Sequence, residues 1–245
     1  MDQPLESTKI KKIIGIISGK GGVGKSFVTG GLAASLRKKG CSVGVMDADV
    51  TGPSIPRMFG VTGKLCSDGT GIVPAETKSG IKMVSMNLLL AHESDPVVWR
   101  GPLIGGTVKQ FYTEVYWGEL DYLLVDMPPG TGDVALTVFQ SMPLSSIVIV
   151  TSPQKLVDMI VQKAVKMASM LHIPVAGIVE NFSYVECPDC GKKIEIYGKS
   201  NIDEVAEKLG TKVLLRLPVM PQLAASCDEG KYYEQDLSLF DGVEL

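Results

Sequence analysis

Eight consecutive residues, Gly19-Lys20-Gly21-Gly22-Val23-Gly24-Lys25-Ser26, hold the densest concentration of chemistry in the chain. They follow a short apolar run and open a stretch with helical periodicity, so their backbone N–H groups can converge on an anion at a helix N-terminus. Phosphate is the ligand such a loop takes. Two templates overlap: Gly19, Gly21 and Gly24 fit a dinucleotide fingerprint, while Gly19, Gly24, Lys25 and Ser26 fit the phosphate loop of nucleoside triphosphatases. The last two residues separate them. Lys25 sets an ammonium where β- and γ-phosphates lie and Ser26 offers a hydroxyl to Mg²⁺, and a dinucleotide site needs neither. The expected nucleotide-binding set is Gly19, Lys20, Gly21, Gly22, Val23, Gly24, Lys25, Ser26 and the adjoining Phe27.

Acidic residues stand at the ends of two further apolar runs, where ligands bind in doubly wound sheets. Asp47 and Asp49 follow Ser42–Met46, and Asp126 follows Tyr122–Val125. With Lys25 and Ser26, Asp126 reads as the strand-end aspartate that holds Mg²⁺ through water, leading into Met127-Pro128-Pro129-Gly130-Thr131-Gly132-Asp133. Asp47 then orients or deprotonates the attacking water, and Asp49 supports the loop, the Mg²⁺ or both. In the dinucleotide reading Asp47 would instead meet a ribose, because it lies about twenty residues past the glycines.

Cys187 and Cys190 form a C-x₂-C turn with Gly191 beside it. Such a turn aims two thiolates at one metal ion or cluster, and zinc and iron–sulfur clusters both call for four. Cys41, Cys66 and Cys227 lie at no metal-like spacing from the pair, and His92 and His172 read as loop or helix-end residues. A redox disulfide, a zinc knuckle and a cluster site all remain open on spacing alone. Two chains related by a two-fold axis would supply four cysteines.

Positioning these groups requires a parallel sheet. Ile13–Ile17, Ser42–Met46, Tyr122–Val125 and Ile147–Val150 read as strands buried on both faces, with Val175–Val179 and Val213–Leu217 extending the sheet. Helical periodicity fills Lys25–Lys39 and Lys155–His172, the latter with Leu156, Ile160, Ala164, Met167 and Leu171 on one stripe. Its methionines, Met159, Met167 and Met170, read as core filling. Thr62–Met86 reads as short strands inserted at one sheet edge. The expectation is an α/β, doubly wound, mostly parallel fold in a single domain spanning 1–245, with 1–10 flexible and 180–198 a cysteine-motif insertion.

Composition limits the partners. The 245 residues are 45% hydrophobic and 21% charged, a globular balance, and 24 Lys plus Arg against 27 Asp plus Glu give a net charge of −3. Neither nucleic acid nor an anionic membrane is drawn to such a chain. Apolar runs are strand-sized, far short of the ~20 residues of a membrane span, and no signal-type segment opens the sequence. Five cysteines with one tight pair do not make a secreted disulfide scaffold, so a soluble, cytoplasmic protein with reduced thiols is expected.

Lys20, directly after the first glycine, is the mark of the deviant Walker A group of dimeric ATPases, and this loop resembles theirs. The resemblance implies a homodimer closed around two ATP molecules, with Lys20 reaching the partner's nucleotide. Within that group the sequence is similar to the Mrp/Nbp35 family of iron–sulfur cluster carriers, also called the ApbC family. Three stretches carry the likeness: Asp47 to Met58, similar to that family's switch I; Asp126 to Asp133, similar to its switch II; and Glu180 to Gly191, similar to its cysteine motif. The match extends over roughly residues 11–225. It implies that Asn181 contacts adenine, that Cys187 and Cys190 bind an iron–sulfur cluster of 4Fe–4S type bridging two subunits, and that scaffold proteins and apo client proteins are the partners. ATP hydrolysis would be coupled to cluster binding or transfer. The likeness fades after Gly198, where Lys199-Ser200-Asn201-Ile202-Asp203-Glu204 replaces an expected glycine-rich stretch. No four-cysteine motif precedes the loop here, so a second, ferredoxin-like cluster is not expected. A positioning or partition ATPase of MinD/ParA type shares Lys20 and is the alternative; the segment from Asp228 to Leu245 lacks the amphipathic or basic pattern it would need.

Overall fold

The computed structural model describes residues 3–49, 52, 54–90, 101–130, 132–154 and 157–245. In chain order the elements are β1 (Lys9–Ser18), α1 (Lys25–Lys38), β2 (Val43–Asp47), α2 (Ile55–Met58), β3 (Cys66–Ser67), β4 (Ile72–Val73), β5 (Ala75–Glu76), β6 (Lys82–Ser85), α3 (Gly101–Thr113), β7 (Glu119–Asp126) and α4 (Asp133–Ser141). There follow β8 (Ser146–Thr151), α5 (Val157–Met170), β9 (Val175–Glu180), β10 (Val185–Glu186), β11 (Lys193–Ile194), α6 (Ile202–Lys208), β12 (Val213–Arg216) and α7 (Pro221–Asp228).

Eight strands form one sheet in the order β12-β9-β8-β1-β7-β2-β6-β5. Every neighbouring pair is parallel except β5 with β6. The expected doubly wound sheet is present. Alternation along β1 divides the core: Ile13 and Ile17 face one layer with Val108 and Phe111 of α3, Val138 of α4, Ala164 of α5 and Val205 of α6. Ile14 and Ile16 face the other with Val28 and Leu32 of α1 and Leu223 of α7. Helices on both faces follow from a sheet whose strands are apolar on both sides. The C-terminal segment joins the second layer, where Tyr232, Leu237, Phe240 and Val243 are buried.

Several expectations change at the edges. Strand β1 begins at Lys9, inside the stretch 1–10 expected to be flexible. Lys9 to Lys12 pair with β7 alone, since β8 joins only at Ile14, and this overhang leaves its side chains largely in solvent. Lys9 and Lys11 meet Glu119 and Asp121 there at 3.4 and 2.7 Å. The 62–86 region does lie at an edge, with a β3–β4 hairpin beside the sheet strands β5 and β6. In α5 the buried stripe is Val161, Ala164 and Ala168, with Met167 and Leu171 packed against it. Met159 and Met170 are 55% and 80% exposed and fill no core, contrary to expectation, because they lie off that stripe. Lys155 and Leu156, along with His92 and Thr131, lie outside the described residues.

Candidate functional site

The glycine-rich loop leaves the C-terminal end of the central strand β1 and enters α1. Gly22 and Gly24 hold left-handed φ values of 79° and 80°, which turn the chain back over the helix N-terminus at no Cβ cost. Gly24 must also be small. A Cβ there would stand 2.2 Å from Asn181 Nδ2, and one at Gly19 would stand 1.3 Å from Ile160 Cγ2 of α5. The loop is thus clamped from two sides, and Asn181 fixes it directly by donating Nδ2–H to Val23 O at 3.0 Å.

Beneath the loop the carboxylate of Asp126 gathers the expected partners. Ser26 Oγ donates to Asp126 Oδ2 at 2.6 Å, and Lys25 Nζ stands 2.7 Å from the same oxygen and 3.6 Å from Asp49 Oδ2. Thr29 Oγ1 donates to Asp126 Oδ1 at 2.7 Å. Lys25 and Asp126 are 6% and 0% exposed, yet among the described residues the ammonium has no hydrogen-bond partner. A buried ammonium held by charge contacts is poised for an anion with better geometry, and a phosphate oxygen supplies one.

Asp47, the register partner of Asp126 across β2 and β7, is 1% exposed. It accepts from Asp49 N–H at 3.2 Å, Ile55 N–H at 3.4 Å and Ser85 Oγ at 3.3 Å. Burial, and then the Asp126 carboxylate, push its pKa up to about 8 against the opposing pull of Lys25. Asp47 therefore braces the turn after β2, whereas Asp49 faces the cavity above the loop.

That cavity is about 940 Å³, within the range of small-molecule sites. Its walls include Gly21, Gly22, Gly24, Lys25, Ser26, Phe27, Asp49, Asn181 and Phe182. Arg57, inside the expected first switch, also lines it; sequence reasoning missed Asn87, Met220 and Asp228, which line it too, and Thr29, which lies under it. Only Thr29 carried a signal: it sits three and four residues past Ser26 and Lys25, on the same helix face. Val50, Thr51 and Pro53 of the expected first switch lie outside the described residues, as does the side chain of Asp133.

Among the described residues the buried Lys25 ammonium faces two carboxylates, Asp49 and Asp126, with the protonated Asp47 beside them. A donor set of a serine hydroxyl and carboxylates with surplus negative charge fits Mg²⁺, a hard cation that takes oxygen ligands. Lys20 Nζ donates to Gln154 Oε1 within the same chain.

The cysteines stand apart on a small ribbon of β10 paired antiparallel with β11. Between the strands the turn closes through Gly191 N–H to Cys187 O at 2.9 Å and Cys187 N–H to Lys192 O at 3.0 Å, with Gly191 at φ 67°. Cys190 is exposed and Cys187 half-buried, and neither is in a disulfide. Backbone N–H groups of Cys190 and Asp189 lower the Cys187 thiol pKa, favouring the ligating thiolate. Among the described residues no three His, Cys, Asp or Glu side chains converge on a metal position. One chain offers two thiolates at most.

A parallel sheet whose central strand feeds a glycine-rich loop and helix, with the strand-end aspartate of the neighbouring strand beneath, defines a P-loop nucleoside triphosphatase. The family model described as NUBPL iron-transfer P-loop NTPase matches residues 9–239, and the chain belongs to that family. It is 50% identical to an iron–sulfur cluster carrier protein of Clostridium perfringens over 92% of this chain and 82% of that one. A protein of the same name from Methanocaldococcus jannaschii is 48% identical over 91% and 78%. Among solved structures, an ADP-bound nucleotide-binding protein of Archaeoglobus fulgidus superposes with TM-score 0.84 at 42% identity, covering 94% of this chain and 92% of that one. The cell-division protein MinD of Aquifex aeolicus, in complex with MinC, superposes with TM-score 0.68 at 19% identity over 94% and 93%, a likeness of fold alone.

Proposed function

We propose that this protein is an ATP-hydrolysing iron–sulfur cluster carrier that holds its cargo at a homodimer interface and passes it to apoproteins. The observation that carries the reading is a well-formed triphosphate site on the same chain as an exposed, incomplete cysteine pair. Family membership and relatives named as cluster carriers support it.

The geometry supports these nucleotide roles. Loop N–H groups from Gly21 to Gly24 and the Lys25 ammonium bind the β- and γ-phosphates, so that Lys25 exchanges its contact with Asp126 for phosphate oxygens. Ser26 and Asp126 would hold Mg²⁺, which neutralises charge building on the phosphates. Hydrolysis forms a bond from water oxygen to the γ-phosphorus and breaks the bridge to the β-phosphate, leaving ADP and inorganic phosphate. Asp49 lines the cavity and so is better placed than Asp47 to orient that water, a revision of the role expected for Asp47. Phe27 and Asn181 line the cavity at the loop, Asn181 braces Val23, and its contact with the base is carried over from the family likeness. Lys20, exchanging Gln154 for the partner's nucleotide, would bind in trans.

Two thiolates per chain on a protruding ribbon suit transient holding. A cluster tied by two chains is released by a small separation of subunits, and the γ-phosphate biases that geometry. No helix among the described residues is long and apolar enough to cross a membrane. The reading is tested by loading the protein anaerobically with iron and sulfide and following transfer to an apo-ferredoxin by circular dichroism. Wild type should transfer; Cys187→Ser/Cys190→Ser should not, and Lys25→Ala should transfer without any response to ATP. Transfer by the double cysteine variant at the wild-type rate would contradict the site.

A further inference from the structure

Strand β9 ends on Glu180 and the next residue is Asn181, two adjacent buried polar residues 1% and 2% exposed. Asn181 grips the phosphate loop through Val23. Glu180 grips something else. Its carboxylate accepts from Ser183 Oγ, where the chain departs toward the cysteines, and from Ser200 Oγ, where it returns. Arg216 of β12 completes the clasp, with Nε 3.7 Å from Glu180 Oε2 and Nη2 2.5 Å from Asp203 Oδ2 at the start of α6. Ser200 Oγ also accepts from Ile202 N–H at 3.2 Å, fixing the entry to that helix. Both ends of the excursion that carries Cys187 and Cys190 are thus tied to one carboxylate.

The junction between the two grips is stiff. Asn181 N–H donates to Thr151 O at 2.8 Å and Leu217 N–H to Glu180 O at 2.9 Å, so both residues sit in the sheet ladder. Phe182, the next residue, takes a left-handed φ of 60°, unfavourable for an aromatic residue, and its N–H donates to Asn181 Oδ1 at 3.0 Å. A buried carboxylate is disfavoured unless its partners satisfy it, and these partners are the two serines at the ribbon's base and a guanidinium.

We propose that Glu180, by clasping Ser183 and Ser200, is the positioning residue through which a nucleotide seated in the phosphate loop fixes the orientation of the cysteine ribbon. The proposal rests on the cluster role assigned to that ribbon and adds the route by which the two sites are coupled. Nucleotide binding orders the loop at Val23, Val23 fixes Asn181, and the adjoining Glu180 holds both feet of the ribbon.

Hydrogen exchange of the cluster-free protein tests this, read by mass spectrometry on the peptides spanning residues 183–200 with and without Mg-ADP. In wild type, bound nucleotide should slow exchange across the ribbon by about threefold or more, the lower reach of ordinary site–site coupling. Ser200→Ala and Glu180→Gln should abolish that slowing while ADP affinity stays within about twofold of wild type. Ser200→Thr, which keeps the hydroxyl, should restore it. A wild-type ribbon that ignores nucleotide, or a Ser200→Ala ribbon that still responds, would overturn the coupling. So would loss of the response together with ADP affinity, which marks a merely structural clasp; if Glu180→Gln fails to fold, the two Ser200 variants decide. Because no cluster is involved, failure here leaves the carrier reading to be judged by iron binding.

Discussion

Asp126 is the residue on which the nucleotide site turns, and its hydroxyl donors are as important as its ammonium partner. Ser26 and Thr29 each donate to a different carboxylate oxygen, at 2.6 and 2.7 Å, which fixes the plane of the group. Thr29→Val keeps the shape and removes one donor from a fully buried anion, so chemical denaturation should show a loss of about 1–3 kcal/mol. ATP turnover should fall by about tenfold or more as the carboxylate loses its orientation. Asp47 makes a different prediction. Its pKa is raised to about 8 by burial and by Asp126, so the folded state keeps a proton that the unfolded chain releases near pH 4. Stability therefore falls as pH rises from about 4 to 8. The nucleotide-free protein should melt at least about 3 °C lower at pH 8.5 than at pH 6, and Asp47→Asn should flatten the difference. A wild-type melting temperature equal at the two pH values would refute the buried, protonated Asp47.

At the scale of elements, the phosphate loop works because α5 and the end of β9 press on it. Gly24→Ala would force a Cβ against Asn181 Nδ2 at a φ of 80°, so nucleotide binding measured by fluorescent ADP should weaken by about a hundredfold or more. Unchanged affinity would show that the clamp is not needed. The loop, the strand-end acids and the central strands were legible in the sequence because each is local: a glycine pattern, or an apolar run with an acid after it. Missed features depend on what a segment packs against. Lys9 to Lys12 break the apolar pattern of β1, yet they extend it along β7, and with no β8 partner before Ile14 their side chains stay largely in solvent. Ile160 reads as a core residue of α5, but it packs over Gly19 of the loop, and Val161, beside it in sequence, enters the core. The exposed Met159 and Met170 follow from that rotation of the stripe. No local pattern marks Asn87, Met220 or Asp228, which line one cavity only when the turn after β6 and the two ends of α7 assemble around it.

At the scale of the whole molecule, two sites of unlike character stand at the ends of strands of one sheet, the second on a separate two-stranded ribbon that follows β9. The nucleotide site is enclosed by elements from both halves of the chain, with buried charges and a formed cavity. The cysteine ribbon stands outside the core with two thiolates and no third ligand among the described residues. A family likeness made the second site readable in the sequence, since C-x₂-C spacing alone leaves zinc, disulfide and cluster open. In the proposed carrier its incompleteness within one chain calls for a second chain, and with it the proposed trans role of Lys20. Anaerobic reconstitution with iron and sulfide, read as iron per chain, visible absorbance and oligomer mass, tests that claim most directly. The expected result is about four irons per dimer, a broad visible band and a dimeric mass, all lost in Cys187→Ser/Cys190→Ser. A colourless wild type, or a double variant that binds iron equally well, would contradict a bridging cluster and leave a nucleotide switch with its cargo elsewhere.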